Sequence, residues 1–205
     1  MTHTRAESPH TPVPARRHGR VLEQAIFDAV IEQLEKFGYA KLTMDSVAAA
    51  AHTGKATLYR RWADKDELIL DAFYNALPSP VAIPLRGVLR TDLAMVLRSL
   101  RDAFDATRGA AFQIVKSENG PKAAMVHTMV KERVTDPCKK LLLDILRDGV
   151  ERGEVRADAV TPLVANVGSA MMIYHSLTEG PVSDDMINNV VDGVLLPLIS
   201  PRPPA

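Results

Sequence analysis

A chain of 205 residues, 46% hydrophobic, 24% charged and 5% aromatic, has room for one large domain or for a small domain joined to a larger one. Twenty-five basic side chains balance 25 acidic ones, which argues against an indiscriminate coater of DNA but allows a positive patch on one face. The single cysteine, Cys138, excludes an internal disulfide, and neither an apolar leader core nor a bilayer-length apolar run occurs, so a cytoplasmic protein without a membrane partner is expected.

Residues 1–19 are rich in Pro, Thr and His and close on the basic cluster Arg16, Arg17 and Arg20. This composition predicts a disordered basic arm, either a solvated tail or a strand of chain touching DNA beside a main contact. Apolar residues from Val21 to Phe37 recur at helical spacing and stop at Gly38. Thr43 is a suitable N-cap for a second helix with Asp45 in its first turn, carrying Met44, Val47, Ala48 and Ala51 inward to a stop at His52-Thr53-Gly54. A short third helix follows over Lys55–Trp62, and Asp64 with Glu67 opens a fourth. Leu77-Pro78-Ser79-Pro80 breaks the pattern, which sets a domain junction there: a small domain over 20–77 and a larger one over 78–200. The larger domain reads as helices over about 86–107, 110–118, 122–152 with a break or kink at Pro137, 161–179 and 183–199, before a frayed tail at 201–205. No strand pattern or repeat occurs, so the fold class is all-α.

Two short helices joined by a tight turn, with helices before and after, have the layout of a helix-turn-helix unit. In Gly54-Lys55-Ala56-Thr57-Leu58-Tyr59-Arg60-Arg61-Trp62, Leu58 and Trp62 stand four apart and can anchor the helix inward. Lys55, Thr57, Tyr59, Arg60 and Arg61 then spread over its outer side, where a major groove would meet donors and small groups. No acidic residue interrupts His52 to Ala63, so the local field is positive on a neutral chain.

The run Leu42-Thr43-Met44-Asp45-Ser46-Val47-Ala48-Ala49-Ala50-Ala51, followed by Lys55 to Trp62 and by Lys65-Asp66-Glu67-Leu68, resembles the DNA-binding signature of the TetR family over about residues 20–75. Beyond it only the helical architecture and Arg152-Gly153-Glu154-Val155-Arg156-Ala157-Asp158 resemble that family. The resemblance implies a sequence-specific regulator of transcription, by family habit a repressor released from a palindromic operator by a small effector. It implies phosphate contacts at Lys55 and Tyr59, with Thr57 and Arg61 near phosphates or base edges. Thr43 would aim the amides at the start of its helix toward the backbone. The chain departs from the pattern at His52, where the family usually has the turn glycine, and at Thr53, where it usually has an aliphatic residue.

The last two predicted helices carry long apolar faces, including Leu163, Val167, Ala170 and Tyr174, then Met186, Val190 and Val194. Part of these faces fits a homodimer interface formed by that helix pair and its copy, which would hold two reading heads at a fixed separation on double-stranded DNA. Phe104, Phe112, Met125, Met129, Met171, Met172, Tyr174 and His175 are candidates to line a pocket for a small apolar effector, with plain core packing the alternative for each. His127 and His175 are candidate polar handles in it. No phosphate loop, nucleophile elbow, paired-cysteine motif or metal-ligand spacing among the six histidines is present, so no enzyme, cofactor or metal is expected. A helical module whose basic helix binds a protein partner is the rival reading, and an activator, or a regulator without a small effector, the variant within the class.

Overall fold

The computed structural model describes residues 19–77, 83–117 and 121–202, and every regular element among them is helical. The expected arm up to residue 18, the Pro-Ser-Pro stretch of the junction and the last three residues of the tail lie outside the described residues.

Helix α1 (Arg20–Phe37) buries Ile26, Val30 and Leu34 on one stripe and ends at Gly38, whose left-handed φ of 74° turns its amide back to the Leu34 carbonyl at 2.9 Å. Phe37, expected at the end of that stripe, is 51% exposed. At 18 residues, α1 outruns its main neighbour α4, which has 12. A 3-10 turn (Tyr39–Lys41) leads into α2 (Met44–Ala50), α3 (Lys55–Tyr59) and α4 (Lys65–Ala76). Thr43 and Ser46 cap α2 reciprocally: the Ser46 amide donates to Thr43 Oγ1 at 3.0 Å and the Thr43 amide to Ser46 Oγ at 3.1 Å. Helix α3 is shorter than its sequence pattern. Arg60 still has helical dihedrals and the Trp62 amide still donates to the Leu58 carbonyl at 2.9 Å, but the regular helix ends at Tyr59, and the chain runs past the buried Trp62 to the Asp64 cap of α4.

The larger domain contains α5 (Leu89–Ala106), α6 (Ala110–Ser117), α7 (Pro121–Val130), α8 (Asp136–Glu151), α9 (Pro162–Thr178), α10 (Asp184–Val190) and α11 (Leu196–Ile199). The buried Asp92 carboxylate secures the entry to α5, accepting the Arg86 and Gly87 amides at 2.7 and 2.8 Å. Two stretches that read as single helices, 122–152 and 183–199, are each widened by a π-helical turn, Lys131–Thr135 and Val191–Leu195. Each turn ends two residues before a proline, Pro137 and Pro197. A proline supplies no amide and its ring crowds the carbonyl four residues back, and a locally wider turn absorbs both defects without ending the helical run.

Two apolar cores result. One gathers α1–α4 around Phe73, Ile26, Leu58 and Leu68; the other gathers α5 and α8–α11 around Leu97, Val96 and Ile187. Gly168 lets α9 approach α5 closely, since a Cβ there would lie 2.9 Å from Leu97 Cδ2. The boundary between cores does not follow the sequence junction: Ala110, Ala111 and Ile114 of α6 and Val126 of α7 belong to the first core. Met129 and Val130, at the end of α7, pack against both.

Candidate nucleic-acid interface and ligand cavity

Helix α3 is held from beneath. Leu58 and Trp62 are buried, the Phe27 ring meets Trp62 edge-on at 5.8 Å, and Trp62 Nε1 donates to Asp71 Oδ2 at 2.8 Å. Such anchoring fixes the pitch of five residues that could not form a stable helix alone. The turn before it runs through His52 at φ 52°, so a histidine holds the left-handed position at which the family pattern has glycine. Gly54, at φ −84°, is extended and makes no use of a glycine's freedom.

The outer side brings together the residues singled out in the sequence. Lys55, Tyr59, Arg60 and Arg61 are exposed, Tyr59 by 56%, and Thr57 is half-buried at the edge. Lys55 pairs with Asp45 of α2, and Arg61 Nη1 lies 3.1 Å from Glu23 of α1. These exposed pairs are weak and orient two cations without neutralising the face. Arg60 has no ion pair among the described residues. Thr43 is exposed, with its hydroxyl oxygen already accepting the Ser46 amide.

A second site lies in the larger domain: a cavity of about 590 Å³ between α5, α6, α7, α8 and α9. Leu100, Phe104, Phe112, Val134, Leu142 and Met172 form its apolar wall, with the Phe104 and Phe112 rings tilted at 6.3 Å. Arg101, His127, Lys131, Asp136, Lys139 and Asn166 supply polar groups, and Cys138 and Ser169 line it too. Burial pushes the Cys138 thiol up to about 11, so it stays protonated and unreactive. Of the pocket residues anticipated from sequence, Phe104, Phe112, Met172 and His127 line this cavity. Met125 and Met129 border a shallower depression on the surface beside Tyr74 and Arg133. Met171, Tyr174 and His175 line neither: Tyr174 is 65% exposed, and Met171 packs against the second core.

Of the polar lining only His127 was anticipated from sequence, since isolated Arg, Lys, Asp and Asn residues on amphipathic helices read as solvated charges and polar groups. A stripe was there to be read: Ala165, Ser169, Met172 and Ser176 stand at helical spacing along α9, small or polar where a filled core would place large aliphatic groups. No group of metal-ligating side chains occurs among the described residues, and no helix there is long and apolar enough to cross a membrane.

A short anchored helix with a basic outer face, behind a capped helix and joined to a helical body, defines a helix-turn-helix transcriptional regulator. Comparison with known proteins gives the family. Residues 26–72 match the family described as "Bacterial regulatory proteins, tetR family", and residues 83–194 match "Tetracyclin repressor-like, C-terminal domain". The "DNA-binding transcriptional repressor TetR" of Mycobacteroides abscessus is 32% identical over 187 residues, covering 89% of this chain and 96% of that protein. An uncharacterized HTH-type transcriptional regulator of Mycobacterium tuberculosis is 28% identical over 183 residues, 87% of this chain and 88% of that protein. A solved regulator from Saccharomonospora viridis, in complex with choline, superposes with a TM-score of 0.67 at 17% identity over 90% of this chain and 100% of that one, which shows a shared fold. The chain belongs to the TetR family and is a DNA-binding regulator of transcription.

Proposed function

We propose that two copies of this chain bind a pseudo-palindromic operator and repress transcription, and that a small effector in the α5–α9 cavity releases the DNA. The observation that carries this reading is the double role of α6 and α7. Phe112, Val115, His127 and Val130 line the cavity, while Ala110, Ile114 and Val126 of the same two helices are part of the reading head's core. A ligand that shifts α6 and α7 therefore acts directly on the packing that positions α3. The π turn adds a second link. Lys131, Val134 and Thr135 line the cavity, and Arg133 between them stacks 3.9 Å over the Tyr74 ring and donates to the Leu77 carbonyl, at the C-terminal end of α4. Differential affinity for the two arrangements is what would move the equilibrium.

Within each head, Lys55, Tyr59 and Arg60 are the phosphate-facing groups, with Thr57 and Arg61 at base edges or neighbouring phosphates; Thr43 sits beside them as the cap of α2. Dimerisation through α9 and the α10–α11 run is supported by an outward stripe on α9. Leu163 is 78% and Tyr174 65% exposed, with Ala170 exposed and Val167 half-buried between them, an apolar face without cover in one copy.

The test is a fluorescence titration of wild type and Tyr59→Ala against duplexes tiling the DNA upstream of the gene, at two salt concentrations. Tight binding to one tile, two protomers per site and loss in a folded Tyr59→Ala variant are expected. Uniformly weak binding that the substitution leaves unchanged would remove α3 from the interface.

A further inference from the structure

The cavity's charges do not cancel, and the excess identifies the kind of molecule it takes. Its lining contains three fixed cations, Arg101, Lys131 and Lys139, and one carboxylate, Asp136. Arg101 is engaged on both sides, with Nη1 donating to Asp184 at 2.5 Å and Nε and Nη2 to Asp102 at 3.1 and 2.9 Å. Lys131 faces Asp136 across 3.9 Å. Lys139, half-buried on α8 one turn beyond Asp136, has no ion pair among the described residues. Nothing else in the lining supplies a negative charge: the Cys138 thiol stays protonated, and Asp136 is the lining's sole carboxylate.

We infer that the effector is an amphipathic molecule, an apolar body carrying a single anionic group, and that Lys139 meets the anion. This rests on reading the cavity as the effector site. A volume of about 590 Å³ suits a drug-sized body, and the walls of Leu100, Phe104, Leu142 and Met172 would desolvate it. An anion against Lys139 completes the one unpaired charge in a weakly polar wall, where charge-assisted hydrogen bonds are strong. A cationic ligand would instead add a second positive charge beside Lys139, with the sole lining carboxylate already shared with Lys131.

Two fluorescent probes with the same aromatic body test this: anilinonaphthalene sulfonate, which carries one negative charge, and N-phenylnaphthylamine, which carries none. Both are titrated into the full chain, into Lys139→Met, and into the cavity-filling variants Ser169→Phe and Ile173→Trp, with fold checked by circular dichroism. The sulfonate is expected to bind at least about tenfold more tightly than the neutral probe. In Lys139→Met that preference disappears while the neutral probe's affinity is kept. Filling the cavity removes both. Equal binding of the two probes, or a sulfonate preference that survives Lys139→Met, overturns the anionic assignment while leaving the cavity as an effector site. Failure of both probes to bind wild type, or binding that both filling variants leave intact, overturns the effector-site reading and the assignment with it.

Discussion

The reading head and the body are built from the same kind of element, short amphipathic helices, but fill their interiors differently. In the head, Phe27, Trp62 and Phe73 close the space between α1, α3 and α4, and Leu58 and Val47 are fully buried beneath the outer face. In the body, the helices around Phe104, Phe112 and Met172 stand apart and leave a cavity of about 590 Å³. The head must present one surface in one geometry, so a packed interior serves it. If the body admits an effector, as proposed, some of its apolar surface has to stay without a partner. Helices α6 and α7 belong to both, and on the proposed reading they are the route between the regions.

The largest test of this contrast removes the head's anchor. Trp62→Ala is expected to destabilise the head by about 3–5 kcal/mol, since it deletes a buried indole and its contact with Phe27. Hydrogen exchange should quicken in α1–α4 and α6 and change little in α9–α11. Equal acceleration throughout would mean that the two cores unfold as one unit and would break the comparison.

Gly168→Val makes the reciprocal change in the body. Added carbon meets Leu97 at 2.9 Å and Leu195 at 3.2 Å, and overpacking of this kind costs about 1–3 kcal/mol. Exchange should quicken in α5 and α9 while α1–α4 stay protected. Protection lost first in the head would show that α6 and α7 transmit strain more strongly than their shared packing implies.

A smaller, more specific effect is expected on the head's outer surface. Lys55→Met should reduce the slope of log affinity against log salt by about 1 if Lys55 meets a phosphate. Asp45→Asn should leave that slope in place and raise affinity, because it frees Lys55 from its ion pair. An unchanged slope in Lys55→Met would assign that side chain to Asp45 alone.

The two regions were also unequally legible in sequence. The head could be read because its constraints are local: Thr43 caps α2 within three residues, Leu58 and Trp62 anchor α3 four apart, and Asp64 opens α4 through the Asp66 and Glu67 amides. The structure keeps each of these, and the all-helical class with them. The cavity is assembled from Leu77 to Val182, residues whose proximity no spacing rule encodes, so a search for large soft side chains found Phe104 and Phe112 but also Tyr174, which faces outward. Asp92 was missed for a different reason: an acid in the first turn of α5 reads as an ordinary favourable charge, and only the fold shows it buried against the Arg86 and Gly87 amides. Pro137 announced a break, but the sequence could not tell a kink from a widened turn, because the choice depends on whether the helical run keeps its neighbours on both sides.

The smallest expected effect concerns acid, and it separates the regions by charge. Arg90 binds Asp192 through two hydrogen bonds of 2.7 and 2.6 Å, and Arg101 binds Asp184, so carboxylates of the α10–α11 run are tied to α5. Hydrogen bonds from those guanidinium groups hold both carboxyls below their ordinary 3.8. A carboxyl depressed by folding contributes stability above its unfolded pKa and loses it as pH falls through its folded value. Body stability should therefore decline as pH drops from about 5 toward 3 and beyond. The change should be modest, because Arg90 and both carboxylates are exposed to solvent, and only Arg101 is half-buried. In Arg90→Gln the Asp192 share of that decline should vanish, leaving a shallower profile than wild type. The measurement is the urea midpoint across that range, followed through exchange-protected amides of α10. A wild-type profile no steeper than that of Arg90→Gln would mean that the Arg90–Asp192 pair does not tie α5 to the last helices in solution, and that their apolar packing around Ile187, Val190 and Val191 alone holds them there.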